Sequence, residues 1–239
     1  MTLPDAAADP VAYCRAEVAA ADEDLSLSLN YAPAADRPRL AALFALLVEL
    51  RRIPAAVSEA PLGEIRLQWH REALDEIASG RRPRAHPVVM ALAAAGAVPA
   101  WRATLEKMID ARARLLYEPR FATLDELSGF LAAAEAPVAA LALGDADADQ
   151  KEAARALGLA HALARLSPAL TPALAGEAAR AALDLRARAA PMLAALPGAA
   201  FGRIAYLALV RGHAARPGGE RWPVLKRLAL FRAVAAGRF

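Results

Sequence analysis

The sequence lacks the features that mark secreted, membrane-spanning and nucleic-acid-binding proteins. Its 239 residues include one cysteine, Cys14, so an internal disulfide is excluded and a reducing compartment is expected. The first ten residues have no apolar run and no signal-peptide pattern, and no run reaches the roughly 18 uncharged apolar residues of a membrane span. The 29 basic and 26 acidic residues balance too closely to indicate nucleic-acid binding. We therefore expect a cytoplasmic protein, with a peripheral membrane contact left open.

Aromatic and strand-favouring residues are scarce. Aromatics make up 5% of the chain, although 57% of it is hydrophobic, because alanine dominates. Alanine is the best helix former, and strands prefer the β-branched residues that are few here. Apolar spacing, prolines and capping residues predict an all-α, single-domain bundle of about ten helices over residues 1–239, without repeats or linkers. The predicted helices lie near 10–24, 36–52, 61–79, 87–95, 99–117, 123 onward, 150–166, 172–196, 201–211 and 222–236.

Common catalytic and metal-binding motifs are also missing. There is no glycine-rich phosphate loop, CxxC pair, HExxH or GxSxG, and the four histidines lack metal-ligand spacing. Asp145, Asp147 and Asp149 resemble the start of a calcium loop. However, Gln150 replaces the turn glycine and Ala156 replaces the bidentate acid, so we expect helix capping instead. The residues alone therefore predict no cofactor.

Three segments together resemble the squalene/phytoene synthase family. Residues 40–80 hold an apolar helix followed by the stretch GEIRLQWHR. Residues 109–131 hold an aspartate-bearing helix, a tyrosine and a loop, and WPVLKRLALFRAVAAGR looks like the last helix of shorter bacterial members. In the first segment, the residues that match the family are Gly63, Glu64, Trp69 and Arg71.

This resemblance implies an isoprenoid-synthase-like fold with a central cavity. The family's enzymes join two prenyl diphosphates head to head, and two aspartate-rich motifs hold the Mg²⁺ that binds the diphosphate. A hard cation of this kind needs carboxylate ligands. The resemblance places the first motif at Arg51, Arg52 and Ala55, so its aspartates are absent here. The second motif falls between Gly158 and Ala175, where the sequence has no acidic residue.

One subgroup of the family shares this departure. It comprises the mitochondrial assembly factors for respiratory complex I and their bacterial relatives, which Ala45, Glu49 and the GEIRLQW stretch resemble. The resemblance therefore implies a pseudoenzyme that binds an isoprenoid or lipid, or a partner protein, in a role such as complex I assembly. The alanine- and arginine-rich composition suits a high-GC bacterium.

The candidate ligand-binding residues come from the segments that carry the resemblance. Each of these residues has two open interpretations. It lines a ligand-binding cavity, or it has an ordinary role in core packing, surface ion pairing or interaction with the helix dipole. The candidates are Arg51, Arg52, Glu64, Arg66, Trp69, Arg71, Asp110, Arg114 and Tyr117.

Two other functions stay open on the sequence. The first is an active, Mg²⁺-dependent prenyl-diphosphate transferase with displaced acids, for which the candidates are Glu49, Glu59, Glu64 and Asp110. The second is a purely structural helical domain with a filled interior. The last helix is also open to two interpretations, since its apolar and basic residues suit either packing on its own domain or docking on an anionic membrane. Those residues are Val224, Leu225, Lys226, Arg227, Leu228, Phe231 and Arg232.

Overall fold

The computed structural model of the protein describes residues 9–166, 170–216 and 223–239. Within these stretches the regular structure is entirely helical and includes no β-strand, as the alanine-rich composition predicts. Three predictions touch residues outside them: the absence of a signal peptide, which rests largely on residues 1–8, the position of the second aspartate motif, which includes residues 167–169, and the start of the last helix at Trp222.

The described chain contains both short and long helices. The α-helices are α1 (Pro10–Ala21), α2 (Glu23–Leu29), α3 (Arg37–Arg52), α4 (Ala60–Ala78), α5 (Pro87–Ala95), α6 (Val98–Tyr117), α7 (Leu124–Ala134), α8 (Pro137–Leu143), α9 (Ala148–Leu166), α10 (Pro172–Ala189), α11 (Gly198–Arg203), α12 (Val210–Ala214) and α13 (Pro223–Ala236). In the described part of the chain, 3₁₀ turns lie at Pro54–Ala56, Ala190–Leu193 and Ala205–Leu209. The chain separates into two compact units, of which the first is Met1–Ser26 with Ala34–Arg120 and the second is Leu27–Pro33 with Phe121–Phe239. The single-domain assignment stays a prediction.

The first unit is built around α3. Every residue from Leu40 to Val48 is buried, so this helix is apolar on all sides rather than on one stripe. It packs against α1 and α5, while α4 pairs with α6. The α4–α6 crossing is close because Gly63 has no side chain: a Cβ atom there would lie 2.2 Å from Leu116 Cδ2. These contacts hold the end of α3 and the start of α4 in place.

The second unit is built around α9, which packs against α7, α8, α10 and α12. Gly158 lets α9 approach α8 closely, since a Cβ atom there would lie 2.8 Å from the backbone oxygen of Ala136. Gly202 plays a similar role, because its Cβ would lie 2.3 Å from the carbonyl oxygen of Tyr31. The last helix, α13, attaches to the turn Ala205–Leu209 through the fully buried Leu230.

Three of the predicted helices were wrong in extent. The first ends at Ala21 because Asp22 starts α2 by accepting a hydrogen bond from the Leu25 amide at 3.1 Å. The helix predicted over residues 172–196 ends at Ala189 and is followed by the 3₁₀ turn Ala190–Leu193. The one predicted over residues 201–211 is divided between α11, a 3₁₀ turn and α12. The stretch that starts at residue 123, for which no end was predicted, contains both α7 and α8.

Side-chain oxygens cap the starts of two helices, and the second of these caps confirms the role expected of the acidic turn. Thr123 Oγ1 accepts from the Glu126 amide at 3.2 Å. In the acidic turn, Asp147 Oδ1 accepts from the Gln150 amide at 2.7 Å, so this aspartate caps the start of α9.

One segment of the described chain is long and apolar enough to cross a membrane by length and composition. It runs from Leu124 to Leu143 and therefore includes both α7 and α8. Its most apolar window is 61% buried within the protein, which is the usual condition of core helices. The break between α7 and α8 also interrupts the continuous hydrogen bonding that a membrane helix requires.

Candidate functional site

The first unit contains a cavity of about 410 Å³ beside the end of α3. Its walls come from the last turn of α3, the Pro54–Ala56 turn, the first half of α4 and the residue before α5. The cavity is lined by four apolar side chains and five ionisable ones. These residues are Glu49, Arg52, Ile53, Ala56, Ile65, Arg66, Trp69, His70 and His86.

Helical spacing explains why these residues meet. On α3, Glu49 and Ile53 are four residues apart and therefore lie on one face. On α4, Ile65 and Trp69 have the same spacing. Pro54 ends α3 and begins the 3₁₀ turn that leads toward α4, so the two faces enclose a common space.

Trp69 forms an aromatic wall of the cavity. Its ring meets the ring of His70 edge-on at 5.0 Å and the ring of His86 at 5.2 Å. The guanidinium of Arg84 lies 5.2 Å from the ring centre and also binds Glu72 and Glu76 on α4. This network holds the indole in one orientation, since a cation over a tryptophan face is attracted to it.

The ionisable groups deepest in the cavity are neutral at physiological pH. Burial, followed by repulsion from Glu17, raises the pKa of Glu49 from the usual 4.5 to about 8, although Arg52 opposes this shift. Burial, with a smaller contribution from His86, lowers the pKa of His70 to about 4. Burial also lowers the pKa of His86, whose Nε2 lies 3.5 Å from Glu49 Oε1. The inner wall is therefore polar but uncharged.

Positive charge lies at the outer part of the cavity. Arg66 is exposed on α4, and the Arg52 side chain is 49% exposed at the end of α3. The site thus combines an uncharged interior with cations at its rim. Such an arrangement suits a molecule with an apolar body and an anionic group.

The two arginines that stand in place of the first aspartate motif are held by acids from α1. Arg51 Nη1 lies 2.6 Å from Asp22 Oδ2, and Arg52 pairs with Glu17. Asp22 is nearly inaccessible, with 2% of its side chain exposed. The arginines therefore belong to a charge-balanced contact between α1 and α3, and of the two only Arg52 lines the cavity among the described residues.

The remaining candidates lie along α4 and α6. Glu64 and Arg71 line a second depression of about 380 Å³, which shares Ile65 and Trp69 with the first cavity. Arg71 Nη2 lies 2.7 Å from Asp110 Oδ1, so these two predicted ligand residues bind each other.

Further along α6, Arg114 lies 3.5 Å from Glu118, and Tyr117 is 64% exposed at the end of the helix. Among the residues that the structure describes, Asp110, Arg114 and Tyr117 line neither depression. Their predicted role in ligand binding stays a prediction.

Sequence reasoning missed part of the site. It used Glu49 as a match to the assembly-factor subgroup and as a displaced catalytic acid, and it did not select His70 or His86. One signal was present, since Glu49 directly follows the continuous apolar run of residues 40–48. An acid at the end of such a run is commonly buried, and burial of this kind perturbs its pKa.

Mg²⁺ is the cofactor that the resemblance implies, and the residues at the two expected positions do not fit it. At the end of α3 the side chains are guanidiniums already bound to Asp22 and Glu17, and the nearby Glu49 carboxyl is protonated at neutral pH. In α9 the stretch from Gly158 to Leu166 consists of that glycine, alanine, leucine, His161 and Arg165. Mg²⁺ requires oxygen ligands, chiefly carboxylates, so neither stretch supplies the expected donor set.

Comparison with known proteins agrees with the helical architecture. Residues 18–171 match the profile of the family described as "Squalene/phytoene synthase", whereas no curated protein matches the sequence. Among solved structures, a "Crystal structure of a dehydrosqualene synthase in complex with ligand" is similar, with a TM-score of 0.67 and 16% identity over 95% of this chain and 96% of that chain. That likeness concerns the fold and confirms the predicted isoprenoid-synthase-like class. Because the profile covers more than half of the sequence, the chain belongs to the squalene/phytoene synthase family.

Proposed function

We propose that this protein is a non-catalytic member of its family that binds an isoprenoid or another anionic lipid in the cavity between α3 and α4. One observation carries the proposal. Arg51 and Arg52 stand where the resemblance puts the first aspartate motif, and α1 supplies Asp22 and Glu17 to balance them. A site rebuilt around paired cations cannot chelate the metal that prenyl transfer needs.

The cavity supports binding of a small amphipathic anion. Its volume of about 410 Å³ falls within the usual range of small-molecule sites. Ile53, Ile65 and Trp69 offer apolar surface, while Arg66 offers a cation at the rim. A prenyl chain that ends in a phosphate or diphosphate has the complementary distribution of apolar surface and charge.

A role in assembly of respiratory complex I is the biological setting we propose for this binding. It rests on the likeness of Ala45, Glu49 and the GEIRLQW stretch to the assembly-factor subgroup. In that setting the bundle would present a surface to a partner protein, with or without a lipid in the cavity. Fold alone does not decide between these uses.

The alternative is a working Mg²⁺-dependent prenyl-diphosphate transferase that uses displaced acids. Glu49, Glu59, Glu64 and Asp110 are the candidates for this role. Glu49 is neutral at physiological pH and Asp110 is bound to Arg71. Two of the four candidate acids are therefore weak ligands for a divalent cation. A direct assay separates the two functions.

The test measures turnover and binding on the same preparation. Pyrophosphate release from farnesyl and geranylgeranyl diphosphate is followed with and without Mg²⁺, and binding of the same compounds is followed through tryptophan fluorescence. We expect no release above background, together with saturable binding. Mg²⁺-dependent release would establish the transferase instead.

A matched pair of variants assigns the binding to the cavity. Arg66→Glu reverses the rim cation, and we expect it to weaken binding by at least about tenfold because it repels the anionic group. Arg82→Glu makes the same charge change at an exposed position outside the cavity, and we expect no effect. Equal affinities for both variants, or no binding by a folded protein, would refute the cavity as the lipid site.

A further inference from the structure

The last helix, α13, exposes large apolar side chains on one face. Val224, Leu225, Leu228 and Phe231 are 73%, 47%, 50% and 61% exposed. The opposite face attaches the helix to its own unit through Leu230, which is fully buried against Ala205 and Leu209. Packing on the protein therefore accounts for one side of α13 and leaves the other uncovered, and an exposed apolar patch of this kind marks an interaction surface.

The exposed apolar residues form a stripe with a cation on each side. Val224, Leu228 and Phe231 follow the i, i+4, i+7 spacing of one helix face. At about 100° per residue, Arg227 and Arg232 fall roughly 60–70° to either side of the centre of that stripe. Both arginines are exposed. A helix that lies flat in a bilayer interface has this arrangement, with an apolar face buried and cations at the level of the headgroups.

The net charge of the segment selects an anionic occupant. From Pro223 to Phe239 the sequence has no acidic residue, whereas it has four cations, Lys226, Arg227, Arg232 and Arg238. A second copy of this chain in a two-fold contact would bring two such positive segments together, which like-charge repulsion disfavours. An anionic bilayer surface supplies both the negative charge and an apolar layer.

We propose that α13 docks this protein on anionic membrane surfaces, lying in the plane of the interface with Val224, Leu228 and Phe231 inserted. This surface belongs to the second unit and is independent of the cavity beside α3, so the two proposals stand or fall separately.

Vesicle flotation of the full chain tests the proposal. The protein is mixed with vesicles of phosphatidylcholine alone or of phosphatidylcholine with about 30% phosphatidylglycerol. We expect at least about tenfold more bound protein on the anionic vesicles at low salt, and a marked decrease when salt screens the charges. Binding that is absent from both vesicle types, or equal on both, would overturn the proposal.

Variants identify the inserting face. Leu228→Glu combined with Phe231→Glu should abolish vesicle binding, and Arg227→Gln combined with Arg232→Gln should reduce both the binding and its salt dependence. Leu183→Glu is the matched control, because Leu183 on α10 is 41% exposed in the same unit, and it should bind like the unchanged protein. Circular dichroism verifies that each variant is folded.

Three other results would count against membrane docking. Vesicle binding that survives the Leu228 and Phe231 substitutions would place the contact elsewhere on the protein. Light scattering that shows a dimer, lost in the same double variant, would mean that a second copy covers this face. A soluble acidic protein that binds α13 while vesicles do not would assign the face to a protein partner.

Discussion

The end of α3 and the second half of α9 are the two places where the resemblance puts the family's aspartate motifs, and they differ in what has replaced them. At the end of α3 the replacement is charged, and the guanidiniums of Arg51 and Arg52 are balanced by Asp22 and Glu17 on α1. In α9 the replacement is small and apolar: every residue from Ala160 to Ala164 is buried, and four of these five are alanine or leucine.

The difference shows two physical ways in which a stretch of helix can lack metal-binding carboxylates. Charge reversal keeps a polar surface but requires new counter-charges, because a buried ion without a partner is very costly. Replacement by alanine and glycine removes the polarity and lets helices pack more closely, as Gly158 does against Ala136. The first leaves an open cavity with charged groups nearby, whereas the second produces ordinary core.

The largest effect we expect comes from removing the buried acid of the α1–α3 contact. Asp22→Ala leaves the Arg51 guanidinium without this partner and also removes the cap on Leu25, so it should lower the free energy of unfolding by about 3 kcal/mol. Asp22→Asn keeps an oxygen that can cap the helix but removes the negative charge, so its destabilisation measures the ion pair alone. Urea denaturation measures all three proteins.

Glu17→Ala is the comparison for that variant. Its partner Arg52 is 49% exposed and hydrated, so the loss should stay below about 1 kcal/mol. If Glu17→Ala destabilises the protein as much as Asp22→Ala does, burial is not what distinguishes the two ion pairs.

A glycine substitution probes the α9 side of the comparison. Gly158→Ala places a Cβ atom 2.8 Å from a backbone oxygen and 3.1 Å from Ala139 Cβ, so α8 and α9 must separate. We expect a loss of about 2 kcal/mol in the free energy of unfolding. Gly129→Ala is the control, because nothing lies within 4 Å of its Cβ position in α7, and there alanine should stabilise by about 0.5–1 kcal/mol. Equal effects at the two positions would mean that the α8–α9 crossing is not tightly packed.

The last comparison concerns the pH dependence that Glu49 gives to the α3 side. Its pKa in the folded protein, about 8, lies above the usual 4.5, so the folded state binds the extra proton. The contribution of this proton to the free energy of unfolding is fully present below pH 4.5 and is lost as the pH rises through 8. As the pH rises from 5 to 8.5, the free energy of unfolding of Glu49→Gln should therefore increase by more than about 1 kcal/mol relative to that of the unchanged protein.

Thermal or urea unfolding at several pH values measures this difference. His70 contributes in the opposite direction, because its lowered pKa of about 4 adds stability as the pH rises from 4 to 6.5. That contribution is common to both proteins and cancels in the comparison. A difference that does not change with pH would show that Glu49 is ionised in the folded state.

Much of the local structure followed from the sequence, whereas only part of the site did. Most of the long helices were predicted to within a few residues, because their prolines, caps and apolar spacing act over one or two turns. Arg66 and Trp69 were selected through the resemblance and do line the cavity. The role of His86 was missed because it precedes α5, well beyond the helices whose pattern suggested a site.

The ion pairs show most clearly why the rest could not be foreseen. Arg51 was expected to meet an anion or the dipole of its own helix, yet its partner Asp22 is 29 residues earlier in the chain. Arg71 and Asp110 were each proposed as ligand residues, and they bind one another across 39 residues. Spacing patterns on one helix carry no information about which distant helix packs beside it.

By itself, the sequence determined that this protein is helical, where most of its helices begin and end, and that carboxylates are missing from both stretches where the resemblance expects them. These properties depend on residue type and on neighbours three or four positions away. Only the tertiary structure decided that Asp22 and Glu17 balance the two arginines, that Glu49 is neutral, and that one face of α13 remains exposed. Burial and pairing depend on helices far apart in the chain, because solvent exclusion and charge contact are set by packing rather than by local order.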